Sequence, residues 1–193
     1  MIKMPRFENC ISLFFIAVIS VACSTPPPAK DLAKDNIIPL PTSLVATGSS
    51  HVLSAQTVIY VQNGSEDLTL VANYLAGILN PATGFGIKVE SVDQAPTSGI
   101  YFALTGNEKS GEAYELTITE KLISLSSSSP AGLFYGIQTL RHLLPASIEK
   151  SSVQEGQWLI ATGTIKDSPT FGYRGAMLDV ARHFFSVEDV KRF

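Results

Sequence analysis

Two stretches with apolar residues at helical spacing, set among short β-branched runs, constrain the fold of this chain more than any other feature. In residues 66–79 the apolar positions are Leu68, Val71, Ala72, Leu75, Ile78 and Leu79, one stripe of period 3.6. Ser65 can cap this helix, with Glu66 and Asp67 in its first turn, and Asn80-Pro81 is expected to stop it. In residues 130–144 the stripe is Leu133, Phe134, Ile137, Leu140 and Leu144, closed by Pro145. Gly132 and Gly136 lie four apart on a neighbouring stripe of this second helix. Each costs up to about 1 kcal/mol of helix propensity relative to Ala, so close packing against the helix should compensate. Residues 57–61, 87–92, 100–104, 114–118, 122–125 and 158–165 read as strands, those at 114–118 and 122–125 forming a hairpin. Residues 37–41, with Pro39 and Pro41, read as an extended lead-in. Each helix stripe must be buried on something, and a sheet is the only other large surface. The expected fold is α+β, of the α/β-sandwich kind: one sheet with two helices on one face.

The N-terminus reads as an export signal. Lys3 and Arg6 precede an apolar core at residues 11–22. That core is too short for the ~20 residues of a transmembrane helix and suits a signal peptide. It ends in Val21-Ala22-Cys23-Ser24, which resembles the bacterial lipobox, although Ser20 stands where Leu is usual. Cys23 is therefore the candidate lipidation site, and residues 24–30, with three consecutive prolines, read as a tether. Residues 1–22 are then signal peptide, 23–35 tether, 36–166 the folded domain, and Asp167-Ser168-Pro169 a boundary. The expected location is a bacterial envelope, lipid-anchored at the outer membrane or on the periplasmic side, with a simply cleaved, periplasmic or secreted protein as the alternative.

Composition excludes several classes. The chain is 45% hydrophobic and 16% charged, unlike a disordered polyampholyte. Its net charge of −3, with no Lys/Arg cluster, argues against nucleic acid as a partner. Cys10 and Cys23 cannot frame a disulfide scaffold, and His51, His142 and His183 are too scattered for a metal site.

Residues 171–185 are of a different character. Met177-Leu178 looks like the middle of a buried strand, yet Arg174, Asp179, Arg182 and His183 surround it. Charges are rarely buried unless paired, so this strand should carry ion pairs or border a cleft. Ser186 then caps a new helix.

Residues 173–193 resemble the opening of the catalytic barrel of β-N-acetylhexosaminidases, glycoside hydrolase family 20. The preceding domain is similar to that family's non-catalytic N-terminal domain, most clearly at Tyr114-Glu115-Leu116-Thr117-Ile118 and in the helix from Ala131-Gly132-Leu133-Phe134-Tyr135-Gly136 to Leu140. The resemblance implies that residues 170–193 supply the first strand and the start of the first helix of a truncated (β/α)₈ barrel. It implies an exported hydrolase of terminal N-acetylglucosamine or N-acetylgalactosamine, with a carbohydrate substrate and no cofactor. In such enzymes the substrate's 2-acetamido oxygen is the nucleophile, a Glu protonates the leaving oxygen, and an adjacent Asp orients the acetamido group. No Asp-Glu dipeptide occurs in this chain. Glu66-Asp67 and Glu188-Asp189 run in the reverse order, in helix first turns where acids favour the helix dipole. These 193 residues alone are therefore expected to be inactive.

Arg174 is the one substrate-binding residue the resemblance carries over. Its planar fork suits two sugar hydroxyls, the competing reading being a structural ion pair. Asp179 and His183 lie nearer the strand end where barrel sites form, and are candidates for supporting the site or for pairing with Arg182. A different class of reading is a non-catalytic envelope lipoprotein whose domain binds glycan or a partner.

Overall fold

The structure is a computed structural model that describes residues 28–35, 37–106 and 111–193. A seven-stranded mixed sheet is built from β1 (Ser43–Leu53), β2 (Ile59–Gln62), β3 (Val89–Val92), β4 (Gly99–Leu104), β5 (Tyr114–Ile118), β6 (Leu122–Ser127) and β7 (Trp158–Asp167). The order across it is β1-β7-β5-β6-β4-β2-β3. β3, β2, β4 and β6 run parallel, and β6, β5, β7 and β1 pair antiparallel. α1 (Glu66–Thr83) and α2 (Pro130–Leu143) lie side by side on one face, as the two stripes require. Leu68, Leu75 and Leu79 of α1 and Leu133, Ile137 and Leu140 of α2 are buried against Ile59, Ile100, Phe102, Leu116, Ile123 and Leu125 of the sheet. Each such side chain contributes about 1.5–3 kcal/mol relative to exposure.

The helix starts follow from their caps. The Ser65 hydroxyl accepts from Leu68 N at 3.3 Å, and the Ser129 hydroxyl accepts from Gly132 N at 3.4 Å. Tight packing accounts for the glycines of α2. A Cβ at Gly136 would meet a methyl of Leu125 at 3.0 Å and the Tyr114 ring at 3.1 Å, so the helix sits directly on β5 and β6. The β5–β6 hairpin closes through Thr119, whose N–H donates to Leu122 O at 2.9 Å while its hydroxyl accepts from Leu122 N at 2.9 Å.

Five features differ from the sequence reading. Phe134, placed on the apolar stripe of α2, is 41% exposed and lies against Tyr74, ring centres 5.2 Å apart, outside the core. α1 passes Pro81 and ends at Thr83. The carbonyl that Pro81 leaves unbonded belongs to the exposed Gly77, where water can serve it. The last turn is then held by the Thr83 hydroxyl donating to Leu79 O (2.8 Å) and by Gly84, whose left-handed φ of 69° brings its N–H to Asn80 O. β1 had no strand reading. Its Ser, Thr and Gly composition is weak, and it exists through a long antiparallel ladder with β7 interrupted by a bulge between Ala46 and Ser50. The stretch assigned to a tether packs on the domain from Pro28 onward. Leu32 is fully buried, and Lys30 N donates to the Ser50 hydroxyl at 2.9 Å, which in turn donates to Pro28 O at 2.7 Å. Finally, no strand forms at Met177-Leu178, and Met177 is 92% exposed. A strand needs a neighbour for its N–H and C=O groups, and none of the described elements offers one there. Ser186 does cap α3 (Val187–Arg192), in a reciprocal capping box with Asp189.

Candidate functional site

β7 ends at Asp167, and residues 168–171 then line one cavity with Tyr135, Gln138 and His142 of α2. This run carries Arg174 to Tyr135 on α2 and to Glu112 just ahead of β5. Arg174 Nη2 donates to both Glu112 carboxylate oxygens, at 2.9 and 3.0 Å, and to the Tyr135 hydroxyl oxygen at 3.0 Å. Nη1 donates to Phe171 O at 2.5 Å. The guanidinium carbon also lies 5.5 Å from the centre of the Tyr135 ring, within cation–π range. Hydrogen bonds from Arg174 are the main reason that the Glu112 carboxyl is held below the usual carboxylate range. Both side chains remain about one-third exposed, so solvent screens the pair and leaves it exchangeable.

Beside this cluster is a cavity of about 470 Å³, lined among others by Ile38, Leu40, Tyr135, His142, Phe171 and Arg174. It has an apolar floor, one cationic fork and several hydroxyls, a wall able to grip a polar edge while covering an apolar face.

Arg174 thus meets an acid of the N-terminal domain rather than Asp179 or His183. Asp179 accepts from Arg182 Nε at 3.1 Å and from Ala181 N at 2.9 Å, while His183 is exposed in the same stretch. Cys23 lies outside the described residues. Sequence reasoning missed Glu112 and Tyr135. Tyr135 belongs to the helix motif already singled out and was legible as a half-exposed neighbour of the apolar stripe. Glu112 gave no signal, because only the fold brings it within reach of a residue 62 positions away. Among the described residues no group of three His, Cys, Asp or Glu side chains could hold a metal ion.

The comparisons with known proteins agree with one another. The profile of glycosyl hydrolase family 20, domain 2, matches residues 34–168, and that of the glycosyl hydrolase family 20 catalytic domain matches residues 171–193. A beta-hexosaminidase of Porphyromonas gingivalis is 38% identical over 158 residues, which cover 81% of this chain and 20% of that protein. A beta-N-acetylhexosaminidase of Cellulomonas fimi is 32% identical over 157 residues, covering 80% and 30%. Among solved structures, the family 20 β-N-acetylhexosaminidase of Streptomyces coelicolor A3(2) superposes with a TM-score of 0.75 at 41% identity, covering 85% of this chain and 32% of that one. A Streptomyces plicatus beta-hexosaminidase, solved with its product GlcNAc, gives 0.74 at 40% identity over 84% of this chain and 32% of its own. The chain therefore spans a fifth to a third of the length of these relatives. A domain 2 profile over most of the chain, followed at once by a match to the catalytic-domain profile, shows that this chain belongs to glycosyl hydrolase family 20.

Proposed function

We propose that this chain is the N-terminal part of an exported β-N-acetylhexosaminidase, which removes terminal N-acetylglucosamine or N-acetylgalactosamine from glycans by substrate-assisted, retaining catalysis. The observation that carries the reading is the order of the two family matches, domain 2 to residue 168 and catalytic domain from residue 171. The relatives named for this activity and the Streptomyces plicatus complex with GlcNAc support the substrate class. No Asp-Glu pair occurs in these residues, so leaving-group protonation and acetamido orientation need groups other than those described. What this chain supplies is Arg174. Its two terminal nitrogens already bind four oxygens, Nη2 those of Glu112 and Tyr135 and Nη1 that of Phe171, and the Nη2 donors suit a sugar hydroxyl once Glu112 is exchanged.

The test is hydrolysis of an aryl N-acetyl-β-glucosaminide by the protein of the whole reading frame, beside its Arg174→Lys variant. Lys keeps the charge and loses the fork. We expect turnover by the parent and a fall in kcat/KM of about 10- to 150-fold in the variant, the worth of one charge-assisted hydrogen bond. An inactive parent refutes the function. A variant within about threefold of the parent removes Arg174 from the site and leaves the function standing.

The lipobox-like residues and the prolines after them support lipidation of Cys23 and an envelope location. The mass of the mature N-terminus checks this. A lipid-modified Cys23 is expected, and an unmodified, freely released protein would mean a simple signal peptide.

A further inference from the structure

The sheet face turned away from α1 and α2 carries an ordered row of side chains that the catalytic reading leaves unused. Cross-strand registers align Tyr60, Tyr101, Ser124, Thr117, Thr164 and Val45 across β2, β4, β6, β5, β7 and β1. Their sequence neighbours Ile59, Phe102, Leu125, Leu116 and Ile165 are buried beneath the helices, so alternation points this row outward. All six are half-buried or exposed and none is charged; beyond Tyr60 the row ends on β3 at the exposed carboxylate of Glu90. In the adjoining row Glu115 and Lys166 neutralise each other at 3.0 Å. Past the row is a depression of about 300 Å³, lined among others by Thr47, Ser49, Thr117, Thr164 and Glu120. The Thr117 and Thr164 oxygens are 3.4 Å apart, a weak bond that leaves both hydroxyls free to serve a ligand. At the other end Tyr60 leans over Gly99, its Cε2 and Cδ2 lying 3.1 and 3.4 Å from where a Cβ would be. The ring therefore lies down along the sheet beside Tyr101.

We infer that this open face binds an extended, uncharged, β-linked glycan laid across the strands, with pyranose C–H faces on Tyr60 and Tyr101 and sugar hydroxyls on Ser124, Thr117 and Thr164. Charge selects the ligand class. A row without Lys or Arg has nothing for phosphate or sulfate, which excludes nucleic acids and polyanions, whereas hydroxyls exchange water for sugar hydrogen bonds one for one. Spacing selects the shape. Strands about 4.8 Å apart repeat at close to the rise of one unit in an extended β-linked chain, so successive sugars meet successive strands. The identity of the sugar, N-acetylhexosamine, rests on the proposed function; the surface itself does not.

The test titrates the full chain with chitohexaose, following backbone amide signals by NMR and heat by calorimetry. Saturable shifts on β4, β6, β5 and β7 are expected. Tyr101→Ala should raise Kd by about tenfold, the loss of one stacked ring. Tyr101→Phe, which keeps the ring, should stay close to the parent. Thr164→Val, isosteric and without a hydroxyl, should raise Kd by about two- to tenfold at an unchanged melting temperature, which keeps the test decisive if Tyr101→Ala unfolds. Absence of saturable binding, shifts confined to the helix side at Tyr74 and Phe134, tighter binding of heparin than of chitohexaose, or unaltered affinity in both Tyr101→Ala and Thr164→Val would each overturn the inference. In the complete enzyme Tyr101→Ala should leave kcat/KM on a single-sugar aryl substrate unchanged. An active enzyme without sheet-face binding then refutes the surface alone, and sheet-face binding by an inactive protein refutes the function alone.

Discussion

Two Gly→Ala substitutions, one in each helix, should move stability in opposite directions, although helix propensity treats them alike. At the exposed Gly77 of α1 a Cβ meets nothing within 4 Å. Gly77→Ala should stabilise by about 0.5–1 kcal/mol through propensity and reduced freedom of the unfolded chain. At Gly132 of α2 the same Cβ would stand 2.5 Å from Ala113 O and 3.0 Å from Ser127 Cβ, and would overlap the Ser127 hydroxyl. That hydroxyl donates to Ala113 O at 2.6 Å. Overpacking of this kind costs about 1–3 kcal/mol, and displacing the hydrogen bond costs about 1 kcal/mol more. Against these stands the propensity gain of about 1 kcal/mol, leaving Gly132→Ala about 1–3 kcal/mol less stable. At about 2–4 °C per kcal/mol for a chain of this size, Gly132→Ala should melt about 2–12 °C lower, and Gly77→Ala about 1–4 °C higher. Thermal unfolding by circular dichroism measures both. A Gly132→Ala protein that melts as high as Gly77→Ala would refute the close approach of α2 to β6 and to Ala113.

Two further outcomes follow from buried side chains. Leu32→Ala should cost about 2–5 kcal/mol, the range for emptying a fully buried leucine site; a melting temperature equal to the parent's would return residues 28–35 to a tether outside the fold. His51 is buried, its Nδ1 2.9 Å from Thr119 O, and burial lowers its pKa below the ordinary 6.5. The unfolded chain then binds the proton more readily, so the stability that His51 contributes is complete above about pH 6.5 and is lost as the pH falls through the folded value. His51→Asn, whose amide can still donate to Thr119 O, should flatten the fall of melting temperature between pH 7 and 5. An unchanged slope would remove His51 as its source.

The parts legible in the sequence are those set by neighbours along the chain. The stripe of α1, that of α2 apart from Phe134, the Ser65 cap, the hairpin at 114–125 and the need for close packing at Gly132 and Gly136 all depend on residues a few positions apart, and each appears in the structure. The residues from Tyr173 onward likewise carried the family, because a motif is local. What only the tertiary structure decided involves partners far away in sequence. β1 is a strand because β7 is there to pair with it. α1 outlasts Pro81 because its last turn is held from far along the chain, Gln154 N donating to Ala82 O at 2.8 Å and Ala82 packing in the core. Leu32 belongs to the core because Gly163 of β7 has no side chain there, a Cβ at that position standing 2.6 Å from Leu32 Cδ2. Met177-Leu178, the most strand-like run of the tail, forms no strand and leaves Met177 exposed, because an apolar pattern makes a strand only beside another strand. Arg174 was named from its motif, but its partners come from the approach to β5 (Glu112) and from within α2 (Tyr135), 62 and 39 positions away. No periodicity in the sequence encodes that meeting, since it depends on how the chain returns along α2 after the sheet has formed.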